Sequence, residues 1–242
     1  MTKPTSSWEI EENAKTFLEC ERGAVPGEEL QLAIIGQIAQ QWSDNPSRIL
    51  DLGCGDGILG RFLLNSFPSA SGVFIDFSDT MLDAARENLS SASESIVMKA
   101  DFASPKWLDS VASNKPFDIV ISGFAIHHQP DRRKRELFLE IYNLLSPGGI
   151  FLNLEHVRSS TQEVELLFEE FYSDHLYDFQ LKSDPEATRE AAAQIYKNRP
   201  DKDEDKLTSV EVQCGWHREI GFNDVDCFFK VFEIALFGGR KK

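Results

Sequence analysis

A short stretch of one acid and three glycines has the residue types and spacing of a ligand-binding turn. Asp51 ends an apolar run, and Gly53, Gly55 and Gly57 follow it. Glycine loses much backbone entropy on folding, so three of them in five residues indicate unusual dihedrals or a ligand that lies against bare backbone. The spacing is not the dinucleotide pattern Gly-x-Gly-x-x-Gly, because the third glycine arrives one residue early. Taken alone, this stretch cannot be distinguished clearly from other nucleotide-binding turns.

Further acids stand where later apolar runs end. Asp76 follows the glycines by about 20 residues, the offset at which dinucleotide sites hold a ribose-binding acid. Its carboxylate has two oxygens, which match a vicinal diol. Asp101 and the segment from Ser122 to His128 follow the next two runs. Ligands of open parallel sheets bind at the carboxyl ends of strands, so these residues are expected to meet at one edge.

An alternation of strand and helix patterns is predicted to position these residues. The predicted strands cover 48–52, 72–76, 96–98, 117–121 and 150–154. Strands separated by helices imply right-handed crossovers and a parallel sheet. Two last strands, 222–229 and 232–237, are predicted to pair with each other. The sequence therefore predicts an α/β fold with a doubly wound, seven-stranded, mainly parallel sheet.

Two segments lie outside this alternation. Residues 1–45 are predicted to form an N-terminal helical arm, and the core is predicted to cover 46–157 and 208–242. The segment 158–207 has no strand candidate. It is predicted to be a helical insertion and is a candidate substrate lid.

Local signals also predict how two helices begin and face. The insertion's first helix is expected to start with a capping box, in which Ser160 is the N-cap and Glu163 reaches back. Residues 28–42 are predicted to be a helix whose buried face is formed by a set of apolar residues at helical spacing. This set is Leu30, Ala33, Ile34, Ile38 and Trp42.

Composition and charge disfavour several classes of partner. The formal net charge is -15, from 40 acidic and 25 basic residues, which disfavours the phosphate backbone of nucleic acid. No apolar run approaches the roughly 18 residues of a membrane span, and the polar N-terminus lacks the apolar region of a secretion signal. The four cysteines show neither Cys-x-x-Cys spacing nor a nearby zinc-type histidine pattern, so no metal site is predicted. Reduced thiols in a cytoplasmic protein are the simplest interpretation, and the oligomeric state stays open.

The series of strand ends resembles that of class I S-adenosylmethionine (SAM) methyltransferases. The resemblance rests on a strand that ends in an acid before Gly-x-Gly-x-Gly, on Asp76 and Asp101, and on Pro147-Gly148-Gly149 before the fifth strand. It covers 48–154 and the C-terminal strand pair, whose ending resembles a bacterial branch with small-molecule or uncharacterised substrates. The resemblance implies a Rossmann-like methyltransferase fold, SAM as the cofactor and a small-molecule methyl acceptor.

The resemblance also implies which residues bind the methionine part of SAM. Gly53, Gly55 and Asp56 would border this part, and Asp51 would lie beside its amino group. Cys54, between the glycines, is interpreted as a small packing residue, because its neighbours do not make a reactive thiolate.

A second set of residues is implied to bind the adenosine part. Asp76 would bind the ribose, and Phe77 and Met81 would pack near the adenine. Asp101 would accept a hydrogen bond from the adenine amino group, with Phe102 beside it. Each of these residues could also serve only as a cap or a core residue, and their order along the chain favours the cofactor.

Residues after the fourth and fifth strands are the candidates for contact with the acceptor. By the resemblance, Ser122 and Phe124 would face the cofactor and the acceptor site. Methyl transfer from a sulfonium is an in-line displacement, so alignment of acceptor and methyl supplies much of the catalysis. An acceptor that must lose a proton also needs a base, a role that suits histidine. His127 and His156 are therefore the candidate catalytic residues, with structural roles as the alternative.

We therefore predict an enzyme that moves a methyl group from SAM to an oxygen, nitrogen or sulfur atom of a small molecule. One alternative within the same cofactor class is modification of a tRNA wobble uridine, or an unusual reaction of SAM. Alternatives of another class are an NAD-type oxidoreductase and a non-catalytic SAM-binding protein.

Overall fold

Seven strands form one sheet at the centre of the protein. The computed structural model describes residues 6–16, 25–90 and 95–242. The strands are β1 (Arg48–Leu52), β2 (Ser71–Asp76), β3 (Ser95–Lys99), β4 (Phe117–Gly123), β5 (Leu145–His156), β6 (Asn223–Val231) and β7 (Ile234–Arg240). Their order is β3-β2-β1-β4-β5-β7-β6. β7 runs antiparallel to β5 and β6, and the other neighbouring pairs are parallel. The predicted α/β fold with a mainly parallel sheet is confirmed.

Helices cover both faces of this sheet. They are α1 (Glu11–Thr16), α2 (Glu28–Trp42), α3 (Ile58–Ser66), α4 (Asp79–Asn88), α5 (Trp107–Val111), α6 (Asp131–Leu144), α7 (Gln162–Gln180), α8 (Arg189–Lys197) and α9 (Val210–Ile220). Successive residues of a strand point to opposite faces, so the central strands supply two separate cores. In β4, Ile119 and Ile121 pack with α2 and α3, whereas Val120 packs with α5 and α6. This double coverage explains why the central strands are almost continuously apolar.

The fifth strand begins earlier than the sequence predicts. Leu145 already pairs with Phe117 of β4, and the register then shifts before Ile150 pairs with Ile119. The Pro-Gly-Gly turn therefore lies inside β5 as an irregularity. Gly148 has a φ of 79°, a conformation that glycine adopts without a steric penalty.

The prediction for the start of α7 was wrong, and the prediction for the face of α2 was right only in part. The cap of α7 is Thr161, whose hydroxyl accepts from Val164 N at 3.3 Å, so Ser160 and Glu163 do not form the capping box. In α2 the buried residues are Gln31, Ile35, Gly36 and Ala39, while Leu30 is 54% exposed. Three residues of the predicted face are partly buried against the core, namely Ile34, Ile38 and Trp42. Gly36 faces the Phe62 ring of α3, where a Cβ would come within 3.1 Å of that ring.

The helices of the insertion share the core of the sheet. Phe168 and Leu176 of α7 and Tyr196 of α8 belong to the same buried cluster as Ile121 and Leu236 of the sheet. This part of the chain is helical, as predicted, and it packs over the carboxyl ends of the strands. Among the described helices, none is both long enough and apolar enough to cross a membrane. Of the predicted N-terminal arm, residues 1–5 and 17–24 lie outside the description.

Candidate active site

A cavity of about 600 Å³ lies at the carboxyl ends of the central strands. This volume is within the range of roughly 300–1,000 Å³ that small-molecule sites occupy. Nine of the residues predicted to bind a cofactor line this cavity. They are Asp51, Gly53, Gly55, Asp76, Phe77, Met81, Asp101, Phe102 and Phe124. The strand ends thus bring together residues that are far apart in the sequence, as expected of an open parallel sheet.

The glycine turn presents bare backbone to the cavity. The backbone N–H groups of Gly53 and Cys54 donate to the carbonyl of Ile75, at 2.8 and 2.9 Å. Gly53 has a φ of +68°, and a Cβ there would lie 2.3 Å from the Cβ of Ala125. Any side chain at this position would therefore collide with the chain after β4. Burial raises the pKa of the Cys54 thiol well above its usual value, which agrees with a packing role for this residue.

Asp76 joins the end of β2 to the glycine turn. Its Oδ2 accepts from Gly55 N at 3.0 Å, and its Oδ1 accepts from Ser78 N at 2.9 Å. Burial raises the pKa of this carboxyl group, and the two backbone donors oppose that effect. Each carboxylate oxygen can accept a second hydrogen bond. Asp76 can therefore hold the turn and still bind two hydroxyl groups of a ligand.

Two other acids of the cavity are held by backbone donors. Asp51 is 1% exposed, and its Oδ2 accepts from Gly60 N at 2.8 Å. Asp101 is exposed, and its Oδ1 accepts from Ala103 N at 2.8 Å. With Asp76, these carboxylates give the cavity wall a negative character that suits a positively charged ligand.

Two predicted cofactor residues lie away from the described lining. Asp56 accepts from Ile58 N through Oδ1 at 3.2 Å, at the start of α3. Ser122 is fully buried and donates to the carbonyl of Leu52 at 2.7 Å, which ties β4 to β1. In this arrangement Asp56 and Ser122 shape the turn and the sheet behind the cavity.

Phe124 takes a strained conformation where the chain leaves β4. Its φ is 50°, a region that costs a residue with a side chain about 1–3 kcal/mol, and such residues concentrate at functional sites. Its backbone N–H donates to the carbonyl of Leu154 at 2.8 Å, which holds this turn against the end of β5. The strained turn places Phe124 on the cavity wall.

The two candidate catalytic histidines lie on the same cavity, each backed by a glutamate. His127 Nδ1 is 2.6 Å from Glu155 Oε1, and His156 Nε2 is 2.9 Å from Glu233 Oε2. Burial alone would lower the pKa of His127, but Glu155 and Asp205 raise it to about 9. His127 is therefore an imidazolium at neutral pH and acts as a hydrogen-bond donor in this arrangement.

A third histidine and a loop carboxylate complete a cluster. Burial and the charge of His127 lower the pKa of His128 to about 2, so this ring stays neutral. Asp205 Oδ1 lies 3.4 Å from His127 Nε2 and 3.6 Å from His128 Nδ1. Asp205 Oδ2 lies 2.6 Å from Arg199 Nη2 and 3.7 Å from His156 Nδ1. Burial alone would raise the pKa of Asp205, but His127, His156 and Arg199 hold it below its usual value.

The candidate lid supplies further lining residues, of which Tyr196 and Arg199 were not predicted from the sequence. Tyr172 and Tyr196 stack with ring centroids 4.5 Å apart, and Arg199 lies 4.7 Å from the Tyr196 ring. Trp8 of the N-terminal segment also lines the cavity and donates from Nε1 to His128 Nε2 at 3.2 Å. No motif marks these residues, because their place depends on how the insertion folds back over the sheet.

Comparison with known proteins identifies a methyltransferase domain in this chain. The methyltransferase domain family matches residues 49–149. The malonyl-[acyl-carrier protein] O-methyltransferase of Halalkalibacterium halodurans is 33% identical over 109 residues, which are 45% of this chain and 39% of that protein. The carboxy-S-adenosyl-L-methionine synthase of Shewanella amazonensis is 28% identical over 227 residues, which are 92% of this chain and 87% of that protein. Residues 49–149 therefore form a methyltransferase domain of the SAM-dependent kind.

Solved structures share the fold of this methyltransferase. An O-methyltransferase family protein from Burkholderia thailandensis superposes with a TM-score of 0.63 at 16% identity, over 88% of this chain and 56% of that chain. The methyltransferase thus spans little more than half of that protein, and 39% of the malonyl relative. A likeness at this level of identity concerns the fold.

SAM is the cofactor of this methyltransferase, and the described cavity fits it. Gly53 leaves backbone exposed where a Cβ would have no room. Asp76 offers two oxygens to a diol, and the acids on the wall suit a cation. The cavity continues past these residues to His127 and the rings of the insertion, which leaves space for a second small molecule.

Proposed function

We propose that the protein transfers the methyl group of SAM to an oxygen, nitrogen or sulfur atom of a small molecule. When bound, SAM supplies a methyl group on a sulfonium sulfur, ready for an in-line displacement. The observation that supports this proposal is a single cavity with two kinds of lining. The glycine turn and Asp76 form one part, and the histidines with the aromatic rings of the insertion form the other.

Some residues of the chain would bind SAM, and others would align the acceptor with its methyl group. Asp76 would hold the ribose hydroxyls, with Phe77 and Met81 beside the adenine. Asp51 and the backbone of the glycine turn would hold the methionine part. Holding both reactants in one geometry can supply about 7–11 kcal/mol of a barrier, so residues that only position the acceptor still matter.

His127 and His156 would contact the acceptor. His127 has a pKa of about 9, so at neutral pH it would donate a hydrogen bond from Nε2 while Glu155 holds Nδ1. A protonated histidine cannot remove a proton, so His127 would orient an acceptor that is already ionised or needs no base. An oxygen acceptor fits this role best, and the malonyl relative is named for O-methylation.

The insertion would act as the lid over the acceptor. Phe168, Tyr172, Leu176 and Tyr196 line the cavity with apolar and aromatic surface. Such a surface excludes water and favours a substrate with a carbon skeleton over a free ion. The net charge of -15 argues against tRNA as the acceptor. The free thiols of Cys54, Cys214 and Cys227 fit a reducing, cytoplasmic location.

Calorimetry and product analysis test this proposal. We expect S-adenosylhomocysteine to bind with micromolar or better affinity, and NADH to bind far more weakly. Incubation with SAM and a panel of small carboxylic acids, phenols, amines and thiols should give one methylated product and S-adenosylhomocysteine by mass spectrometry. Tight NADH binding without S-adenosylhomocysteine binding would refute the cofactor assignment. Binding without any transfer would favour a non-catalytic SAM-binding protein.

A second candidate function is the conversion of SAM itself into a carboxylated derivative. It is favoured by the carboxy-S-adenosyl-L-methionine synthase relatives, whose similarity includes the insertion and covers 92% of this chain. The two functions differ in their products. Methyl transfer gives a methylated acceptor, whereas this reaction gives a SAM derivative in which a carboxyl group replaces one hydrogen atom, a mass gain equal to that of CO₂. The same mass spectra, collected with a cell extract as the source of the carboxyl group, distinguish them.

A further inference from the structure

Three side chains converge on one point beside the cavity with the geometry of metal ligands. His127 Nε2, His128 Nδ1 and Asp205 Oδ1 lie within 4.8 Å of one another. Asp205 Oδ1 is 3.4 Å from His127 Nε2 and 3.6 Å from His128 Nδ1. These separations are long for hydrogen bonds, which peak near 2.9 Å. Two ligand atoms of a tetrahedral zinc ion, each about 2.0–2.2 Å from the metal, are separated by the same distance as these oxygen and nitrogen atoms.

The atoms at this point are buried, and two of them make no hydrogen bond of ordinary geometry. Asp205 has a side chain that is 7% exposed, and that of His128 is 15% exposed. Within the part of the chain that the structure describes, neither Asp205 Oδ1 nor His128 Nδ1 makes a hydrogen bond. A buried polar atom without a partner costs about 1–3 kcal/mol, so a pair of them facing each other needs an explanation.

The groups behind the ligands have the arrangement found around metal-bound histidines. His127 is held through Nδ1 by Glu155 at 2.6 Å, which leaves Nε2 directed at Asp205. Metal-ligating histidines commonly give their other nitrogen to a carboxylate in this way. Arg199 binds the other oxygen of Asp205 at 2.6 Å, so Oδ1 is the oxygen that remains for an ion.

The charges around this point favour a cation. Four carboxylates lie around the cluster, those of Glu155, Asp201, Asp205 and Glu233. Arg199 places a positive charge beside two of them, Asp201 and Asp205. Lys134 adds a second positive charge, but its ammonium is held by the carbonyl of Lys206 and the hydroxyl of Thr208. The carboxylates therefore outnumber the lysine and arginine charges.

We propose that His127, His128 and Asp205 bind a divalent first-row metal ion, with Zn²⁺ as the probe that matches two imidazoles and one carboxylate. Three protein ligands leave at least one position on a four-coordinate ion, as in catalytic zinc sites. His127 and His128 also line the cavity, so that position is available to a water or to an oxygen atom of the acceptor. No sequence motif marks this site, because Asp205 is remote from the histidine pair in the chain.

Two features of the structure oppose the ion and make the proposal sharper. The His127 ring is protonated at neutral pH, so an ion on Nε2 must displace that proton. Trp8 Nε1–H donates to His128 Nε2, which leaves the ring proton on Nδ1. An ion on Nδ1 would move that proton to Nε2 and turn the contact into two facing donors. Metal binding must therefore break the Trp8 hydrogen bond, and removal of the indole N–H should strengthen the site.

Calorimetric titration of the full chain with ZnCl₂ alone, after dialysis against a chelator, tests the proposal. We expect one Zn²⁺ per chain, and at least ~100-fold weaker binding for Asp205→Asn, since even residues behind the ligands contribute about 10–100-fold. Asp203→Asn is the matched control, because Asp203 is an exposed acid of the same loop. Trp8→Phe should bind Zn²⁺ about 2- to 10-fold more tightly, the gain from one hydrogen bond no longer broken.

Two results would overturn the proposal. One is the absence of Zn²⁺ binding to the wild-type chain, and the other is equal binding by the Asp205→Asn and Asp203→Asn variants, which would indicate an ion held by surface acids. S-adenosylhomocysteine binding, measured on the same samples, shows that each variant is folded. It also separates this proposal from the proposed function, because the cofactor site can be intact whether or not the metal binds.

Discussion

At the scale of single residues, Asp76 connects the glycine turn to the cavity. Its carboxylate accepts from Gly55 N and Ser78 N and lines the cavity. Replacement by alanine should weaken S-adenosylhomocysteine binding by about 1–3 kcal/mol, because the ribose hydroxyls would lose a charged acceptor. Calorimetry measures this loss. Asp79→Ala, which removes an acid whose side chain is 74% exposed, is the control and should bind as tightly as the wild type.

Asp76→Asn refines that test. Asparagine keeps the shape and one acceptor oxygen, so the turn can stay folded while the charge is lost. An affinity between those of the wild type and the alanine variant would assign part of the effect to charge. Wild-type affinity in both variants would remove Asp76 from the ribose site.

The role of His127 predicts a different pattern. If His127 orients the acceptor, His127→Asn should lower turnover about 10- to 100-fold, the range for one hydrogen bond from a charged donor, with little change in SAM affinity. Steady-state kinetics with a confirmed acceptor, together with calorimetry, separates the two quantities. His175→Asn is a suitable control, because His175 contacts the carbonyl of Phe171 on α7. An equal loss of turnover and SAM affinity would point to a structural role.

The residues near the glycine turn could be predicted to lie at one site, because their spacing along the sequence is itself the motif. Gly53, Gly55 and Asp76 stand at fixed offsets in strand-turn-helix units, and the structure brings them to one cavity. Arg199 and Asp205 carry no comparable signal, since acids and bases are common in exposed loops. Only the return of the insertion over the sheet brings them to the histidines.

At the scale of elements, α7 and α8 shape the part of the cavity that is proposed to hold the acceptor. Tyr172 and Tyr196 stack across these helices at 4.5 Å and both line the cavity. Tyr196→Leu should raise the KM for the acceptor about 2- to 10-fold, the equivalent of one aromatic pair worth about 0.5–1.5 kcal/mol. S-adenosylhomocysteine affinity should stay unchanged.

Leu166→Ala is the control for this element, because Leu166 lies on α7 and is 52% exposed. It should leave the KM for the acceptor unchanged. A loss of cofactor affinity in Tyr196→Leu, with the KM for the acceptor intact, would place these helices over the cofactor instead.

The ends of helices could be predicted where the sequence has residues, such as glycine, that terminate a helix. α9 ends before Gly221, whose φ of 115° suits glycine, and α2 covers the predicted 28–42. The inward face of α2 could be predicted only in part, because it also depends on the fit of the Phe62 ring against Gly36. Side-chain periodicity places an apolar stripe, and packing with a partner helix then selects which residues face inward.

At the scale of the whole molecule, one buried histidine couples folding to pH. His217 is fully buried among Phe138, Phe151, Phe222 and Phe237. Neither of its ring nitrogens makes a hydrogen bond to the described part of the chain. Burial, with a contribution from the charge of Arg218, lowers the pKa of His217 to about 3. The folded protein must therefore hold this ring neutral.

The sign of the effect follows from the two pKa values. An unfolded chain binds a proton at His217 below pH 6.5, whereas the folded chain binds it only near pH 3. Between these values the unfolded state binds more protons, so the free energy of unfolding falls as the pH falls. At pH 5 the difference of about 1.5 pH units corresponds to about 2 kcal/mol. Above pH 7 this contribution is constant.

Replacement by leucine should remove this dependence. His217→Leu keeps an apolar side chain of similar size in the aromatic cage and has no proton to gain. Between pH 7 and pH 5, the free energy of unfolding should fall by about 2 kcal/mol less in the variant than in the wild type. Urea unfolding at each pH measures this difference. Comparing the two proteins cancels the titration of the many carboxylates that they share. Parallel losses in both proteins would show that His217 is protonated in the folded state, and that its cage admits the charge.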